Sequence, residues 1–204
     1  MNSPLRYSVS SDVPVIDAAE VLHYLGYARS DIRESDIALV DAHTDDVRSV
    51  IKPAAVYNSF EIELSEGGRI KLPWGEIVSH DLSKNLSGCS SIYVFAATLG
   101  IEFDRLLART RLTSMADAAI VQAIGSAFAE SFVEMLNDKL KAEAASKGLK
   151  TKPRFSPGFG DFPLENQKGL FSVLDPAKHI GLTLKENCIM APEKSVTAVI
   201  GIYE

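Results

Sequence analysis

The stretch "SMADAAIVQAIGSAFAESFVEMLNDKLKAEAASKG", Ser114 to Gly148, decides the fold. Ser114 is a natural N-cap, and Asp117 stands at the capping-box position three residues on. Ile120, Ile124, Phe128, Phe132, Leu136 and Leu140 then recur at every fourth position, flanked by Ala119, Ala123 and Ala127. This spacing stacks the large apolar side chains on one face of a helix of about thirty residues, too apolar to lie on a surface. Gly148 supplies the stop. The segments on either side must therefore cover a central core helix. Within it, the small residues of Gly125-Ser126-Ala127 mark close packing rather than chemistry.

Toward the N-terminus, SIYVFAATLG (Ser91 to Gly100) reads as a buried strand running into a turn. A short helix precedes it over residues 79–86 and stops at Gly88. Before that, Val56, Phe60, Ile62 and Leu64 alternate with Tyr57, Ser59, Glu61 and Glu63. SEGG makes a turn, and Ile70, Leu72 and Trp74 resume the alternation, which predicts a β-hairpin. Leu39, Val40, His43, Val47, Val50 and Ile51 repeat at helical spacing up to Pro53. Asp12 before VPVIDAAEVLHYLG predicts a capped first helix with Gly26 as its stop. Residues 1–12 read as a flexible N-terminal tail. Toward the C-terminus, GLFSVLD is a short helix, and two strands follow around LTL–NCIM and SVTAVIGI, joined at APEK. There is no repeat and no linker. The expectation is one α+β domain over residues 13–204, with a mostly antiparallel, twisted sheet and packed helices.

Composition narrows the function. The net charge is −6, and the cations are scattered except for KLKAEAASKGLKTKPR, Lys139 to Arg154. Binding to a nucleic-acid duplex draws on a basic face, so nucleic acid is excluded as an expected partner. The longest apolar run, IYVFAA, is too short for a bilayer, and the N-terminus has no signal-peptide core, so no membrane is expected and the chain reads as cytoplasmic. The two cysteines, Cys89 and Cys188, then read as reduced thiols. Asp41-Ala42-His43 falls mid-helix, the other histidines are isolated, and HExxH and paired CxxC motifs are absent, so no metal is expected. GxSxG, GxGxxG and P-loop patterns are absent too, and Thr98-Leu99-Gly100 replaces none of them. No catalytic residue is assigned.

One loop stands out. RFSPGFGDFP, Arg154 to Pro163, sets two prolines, two glycines and three phenylalanines around one arginine and one aspartate. The Arg154 guanidinium is a fork suited to a carboxylate. Gly158 and Gly160 permit close backbone approach, and Phe159 offers a face for an apolar or cationic group. The same composition also describes a surface loop with a solvated arginine. On the long helix, Glu130, Glu134 and Asp138 line up at i+4 spacing. They read either as a solvated face or as a stripe with one carboxylate turned into a cleft to hold an ammonium group.

Arg154-Phe155-Ser156-Pro157-Gly158-Phe159 resembles the Arg-x-x-Pro-Gly-Tyr signature of the activation domain of cobalamin-dependent methionine synthase. FSVLDPAKHIGLTLKENCIMAPEKSVTAVIG is similar to that family's short helix, Ile-Gly-x-x-Leu-x-Glu and Met-x-Pro-x-x-Ser-Val. LSGCSSIYVFAATLG and DAAIVQAIGSAFAESFVEML resemble its stand-alone relatives. The likeness runs over roughly residues 75–202 with the motifs in order.

The resemblance implies a subunit that binds S-adenosylmethionine and reactivates cob(II)alamin by reductive methylation. The cobalamin would be carried by a separate methionine synthase chain, and a flavodoxin-like or other donor would supply the electron. The chain itself would be an accessory, not a self-sufficient enzyme. By position, Arg154 would bind the methionine carboxylate and Glu130 its amino group, with Ser126 as the other alignment for the latter. The main chain at Phe155 would offer polar contacts, and Gly158 and Phe159 would complete the motif. Phe159 replaces the motif tyrosine and Gly160-Asp161-Phe162-Pro163 departs from the family's Pro-Ala-Cys-Pro, which leaves the role of Asp161 open. A ligand-contacting aspartate and a further tyrosine of the long enzyme have no counterpart here. Two alternatives follow from these departures: a non-catalytic binding module of a corrinoid protein, and a reactivation partner of a different corrinoid methyltransferase.

Overall fold

The apolar ladder of the long helix is covered by a five-stranded sheet. The structure, a computed structural model, describes residues 3–9, 15–28 and 32–204. In chain order the strands and helices are β1 (Leu5–Ser8), α1 (Ala18–Tyr24), α2 (Glu34–Val50), β2 (Ala54–Glu61), β3 (Glu63–Ser65), β4 (Arg69–Leu72), β5 (Gly75–Val78), α3 (His80–Asn85) and β6 (Ser91–Thr98), followed by α4 (Ile101–Thr113), α5 (Met115–Ala145), β7 (Lys150–Thr151), α6 (Asn166–Leu174), α7 (Pro176–Ile180), β8 (Thr183–Leu184), β9 (Met190–Ala191) and β10 (Ser195–Tyr203). The main sheet runs β1-β2-β6-β10-β7, and every neighbouring pair is antiparallel.

Both faces of this sheet are covered. Tyr57, Tyr93, Phe95 and Ile200 point toward α1, α2, α4 and α5. Val56, Ile92, Val94, Ala96 and Val199 point toward α3, α6 and the small sheet β3-β4-β5. Helix α5 buries Ile124, Phe128, Phe132, Leu136 and Leu140 in the first of these layers, as its spacing predicts. Ile120 sits at the margin of that layer. The Ser114 hydroxyl accepts the Asp117 N–H at 3.1 Å and so caps the helix. By length and composition α5 could also span a bilayer, but its apolar face is packed against the sheet.

The structure corrects several expectations. Within the expected tail, Leu5–Ser8 is an edge strand, registered from Leu5↔Tyr57 to Ser8↔Ala54. Its anchor is Tyr7, whose ring stacks on Phe132 at 5.9 Å. A half-exposed edge strand lacks the apolar density that marks an inner one. The expected cap Asp12 lies outside the described residues, and α1 is capped by Asp17, which accepts from the Ala19 N–H at 3.0 Å. The SEGG hairpin exists as β3–β4, with Leu64 opposite Ile70. Val56 and Phe60, however, belong to β2 in the main sheet, and β5 adds a third strand to the small one. LTL–NCIM is a two-stranded hairpin, β8–β9, rather than one strand. Helix α4 was not expected, because only Phe103 and Leu107 of its thirteen residues are buried and its apolar signal is correspondingly sparse.

Candidate functional site

The loop that begins at Arg154 grows out of the sheet edge. After β7, the Lys152 N–H bonds the Gly201 carbonyl at 2.8 Å. Phe155 then makes a bridge with Val199, exchanging both N–H···O bonds at 2.9 Å. Extended backbone alternates its side chains. Arg154 accordingly turns toward α5, while Phe155 turns into the opposite layer, its ring 6.3 Å from that of Phe162. The Phe155 main chain is bonded to the sheet, and its ring is presented on the other face.

Past Phe155 the loop closes on itself. The Gly158 N–H donates to the Phe162 carbonyl at 2.8 Å, and the Phe162 N–H to the Phe159 carbonyl at 3.0 Å. Gly158 has φ 94°, a conformation that disfavours any side chain. Phe162 is buried in the core and anchors the turn. Asp161 has a definite partner. Its carboxylate accepts from the Ser79 hydroxyl, from the His80 N–H at 2.6 Å and from the Asp81 N–H at 3.1 Å. The Ser79 hydrogen bond, then those of the two backbone N–H groups, hold its pKa below the usual carboxylate range. Asp81 answers by accepting the Asp161 N–H at 3.3 Å. Asp161 thus caps the start of α3 and ties the loop to it.

Arg154 lies in the cluster that the sequence brings together. One terminal nitrogen, Nη1, donates to Glu134 Oε1, and the other, Nη2, donates to Glu130 Oε1. The arginine side chain is 25% exposed, against 46% for Glu130 and 53% for Glu134. Burial lowers the guanidinium pKa, but hydrogen bonds and charge from Glu130, then Glu134, outweigh it and hold the pKa above its ordinary value. The three groups together carry a formal charge of −1. Helix α1 packs beside them. The Ser131 hydroxyl donates to the Val15 carbonyl at 3.3 Å, and the Tyr24 hydroxyl has its pKa raised by burial and by the charges of Glu20 and Glu130. Nothing in the spacing of α1 announces this proximity, which is created by helix packing.

The expected site residues therefore fall into two groups. Arg154 and Glu130 meet on the α5 side of the sheet edge. Phe155 and Phe159 line an open cleft of about 540 Å³ on the α3 side, together with Asp81, Lys84, Asn85, Pro153 and Gly160. Phe159 is 68% exposed on its rim. The Asn85 amide donates to the Pro153 carbonyl at 3.3 Å, while its buried Oδ1 has no hydrogen-bond partner among the described residues. Ser126, the other position aligned for the amino group, accepts from Lys194 Nζ at 2.8 Å, whereas Arg154 bonds Glu130 and Glu134. His43 sits in the middle of α2, its Nε2 3.7 Å from Asp117 Oδ1.

Comparison with known proteins adds two likenesses. The family described as "Vitamin B12 dependent methionine synthase, activation domain" matches residues 82–203. Among solved structures, "Crystal Structure of the MetH Reactivation Domain bound to AdoHcy" aligns with a TM-score of 0.72 at 17% identity, over 98% of this chain and 78% of that one. No curated protein matches the chain.

Proposed function

The chain belongs to the vitamin B12 dependent methionine synthase activation-domain family, and on that premise we propose that it binds S-adenosylmethionine at the Arg154–Glu130–Glu134 cluster. It presents the methyl group to a cobalamin held by a separate methionine synthase chain, with an electron supplied by a flavodoxin-like or other donor. One observation carries this reading: a part-buried guanidinium facing two carboxylates from one helix. The amino-acid end of the ligand is a zwitterion. Its carboxylate suits the arginine fork, and its ammonium suits a glutamate released from that fork. Ligand entry thus exchanges partners within the cluster and leaves no buried charge alone, which would be costly. A solved structure of the same fold with AdoHcy bound adds support.

The cobalamin is read as carried by the partner chain; His43 of this chain sits mid-helix with Nε2 3.7 Å from Asp117. Cobalamin supplies the metal that accepts the methyl group. This chain contributes positioning, which turns a bimolecular encounter into an oriented one.

A second reading has its own observation. Arg154 is already neutralised by two acids, and Phe159 lacks the motif hydroxyl, as in a decayed site where the arginine only staples the loop to α5 in a binding module of a corrinoid protein. A reactivation partner for a different corrinoid methyltransferase would keep the site and change only the docked chain. Titration calorimetry with S-adenosylmethionine, with and without the cobalamin-bearing chain, separates the first two. The expected result is measurable binding that weakens roughly tenfold or more in Arg154→Ala, the worth of a charge-assisted pair. Absence of heat in both arrangements, or a variant that binds like the parent, would leave only the staple.

A further inference from the structure

We infer that Glu134 competes with the ligand for Arg154, and so sets the affinity of the site, next to the Glu130 that the family resemblance already assigns to the ammonium group. This deepens the S-adenosylmethionine reading and rests on it. The argument begins with the fork. Both terminal nitrogens of Arg154 are in use, each on a different carboxylate. A guanidinium grips an incoming carboxylate through two parallel N–H bonds. At least one glutamate must therefore leave before the ligand can be gripped in this way.

The surroundings decide which one leaves. Glu134 is the more exposed of the two, so its released carboxylate regains water more readily. Glu130 lies one helical turn closer to the start of α5, beside α1, where its charge acts on the Tyr24 hydroxyl. A carboxylate in that position is kept near the cluster and becomes the natural partner of an ammonium arriving with the ligand. The ligand carboxylate then replaces Glu134 on Nη1 with a group of the same charge. Little is gained at Arg154 by that swap, so the ligand binds more weakly than it would to a guanidinium free of Glu134.

The test is calorimetry on the whole chain with two probes, S-adenosylmethionine and S-adenosylhomocysteine. Glu134→Gln should tighten both by roughly two- to fivefold, the worth of a part-exposed ion pair. Tightening should be larger for S-adenosylhomocysteine, because the sulfonium of the other probe loses some attraction when a nearby negative charge is removed. Glu134→Ala should act in the same direction, which checks that the glutamine amide has not made a new contact. Glu130→Gln should weaken both probes. If the parent binds and folded Glu134 variants bind equally or more weakly, Glu134 is a bystander or a ligand-holding group and the inference is overturned. If the parent binds neither probe, alone or with the cobalamin-bearing chain, the S-adenosylmethionine reading itself falls, and the inference falls with it.

Discussion

A β-carbon at position 125 would lie 2.1 Å from the Phe103 ring, inside any van der Waals contact. Phe103 is fully buried, so the ring has little room to retreat. Gly125→Ala should therefore destabilise the protein. The alanine gains up to ~1 kcal/mol of helix propensity, but overpacking of a tight core costs about 1–3 kcal/mol. The expected readout is a lower urea midpoint with an unchanged slope; a higher midpoint would show that α4 shifts freely against α5. The small-residue stretch at Gly125 was legible as close packing, though its partner was not. The same holds at the candidate site. An arginine before Pro-Gly and a glutamate on the long helix could be paired in advance by resemblance. That Glu134 shares the same guanidinium depends on where the loop leaves the sheet, which no local pattern encodes.

Helix α3 has six residues, too few to hold together alone. Its first-turn N–H groups are met by Ser79, which accepts from the Leu82 N–H at 3.1 Å, and by Asp161 from across the molecule. The carboxylate of Asp161 is depressed in the folded state, so its stabilisation is present above its unfolded pKa of about 3.9 and disappears as pH falls through the lower folded value. Asp161→Asn should lower the melting temperature at neutral pH, and the gap from the parent should close as both are melted at progressively more acid pH. A gap that stays constant down to the acid limit would mean that charge is not what the cap uses. Ser79 could be read as the start of this helix from its own neighbourhood. Asp161 could not, because the contact spans about eighty residues of sequence and exists only once the loop is folded.

Two apolar layers share one sheet, with Phe132 at the centre of one and Phe162 in the other. Phe132→Ala and Phe162→Ala should each cost about 3–5 kcal/mol. With the sheet between them the costs should add to within ~0.5 kcal/mol in the double variant. A single transition in denaturant is expected for each single variant, since both layers hang on β2, β6 and β10. Two separated transitions would show that one layer melts ahead of the other. The α+β class and the antiparallel sheet were legible because the long helix and the buried strand carry strong, regular signals. The strand order was not, since it sets the last strand, β10, inside the sheet beside β6 and makes an edge of the first.

The opposite edge, beyond β10, has a consequence for recognition. Because Phe155 is locked onto Val199 by a reciprocal pair of backbone bonds, the Cα of its neighbour Arg154 is fixed by the sheet before any small molecule arrives. A loop residue that must be ordered on association loses about 1–2 kcal/mol of chain freedom at that moment. Here folding has already absorbed that loss, so capture at the proposed site would require only the rotation of side chains around a stationary base.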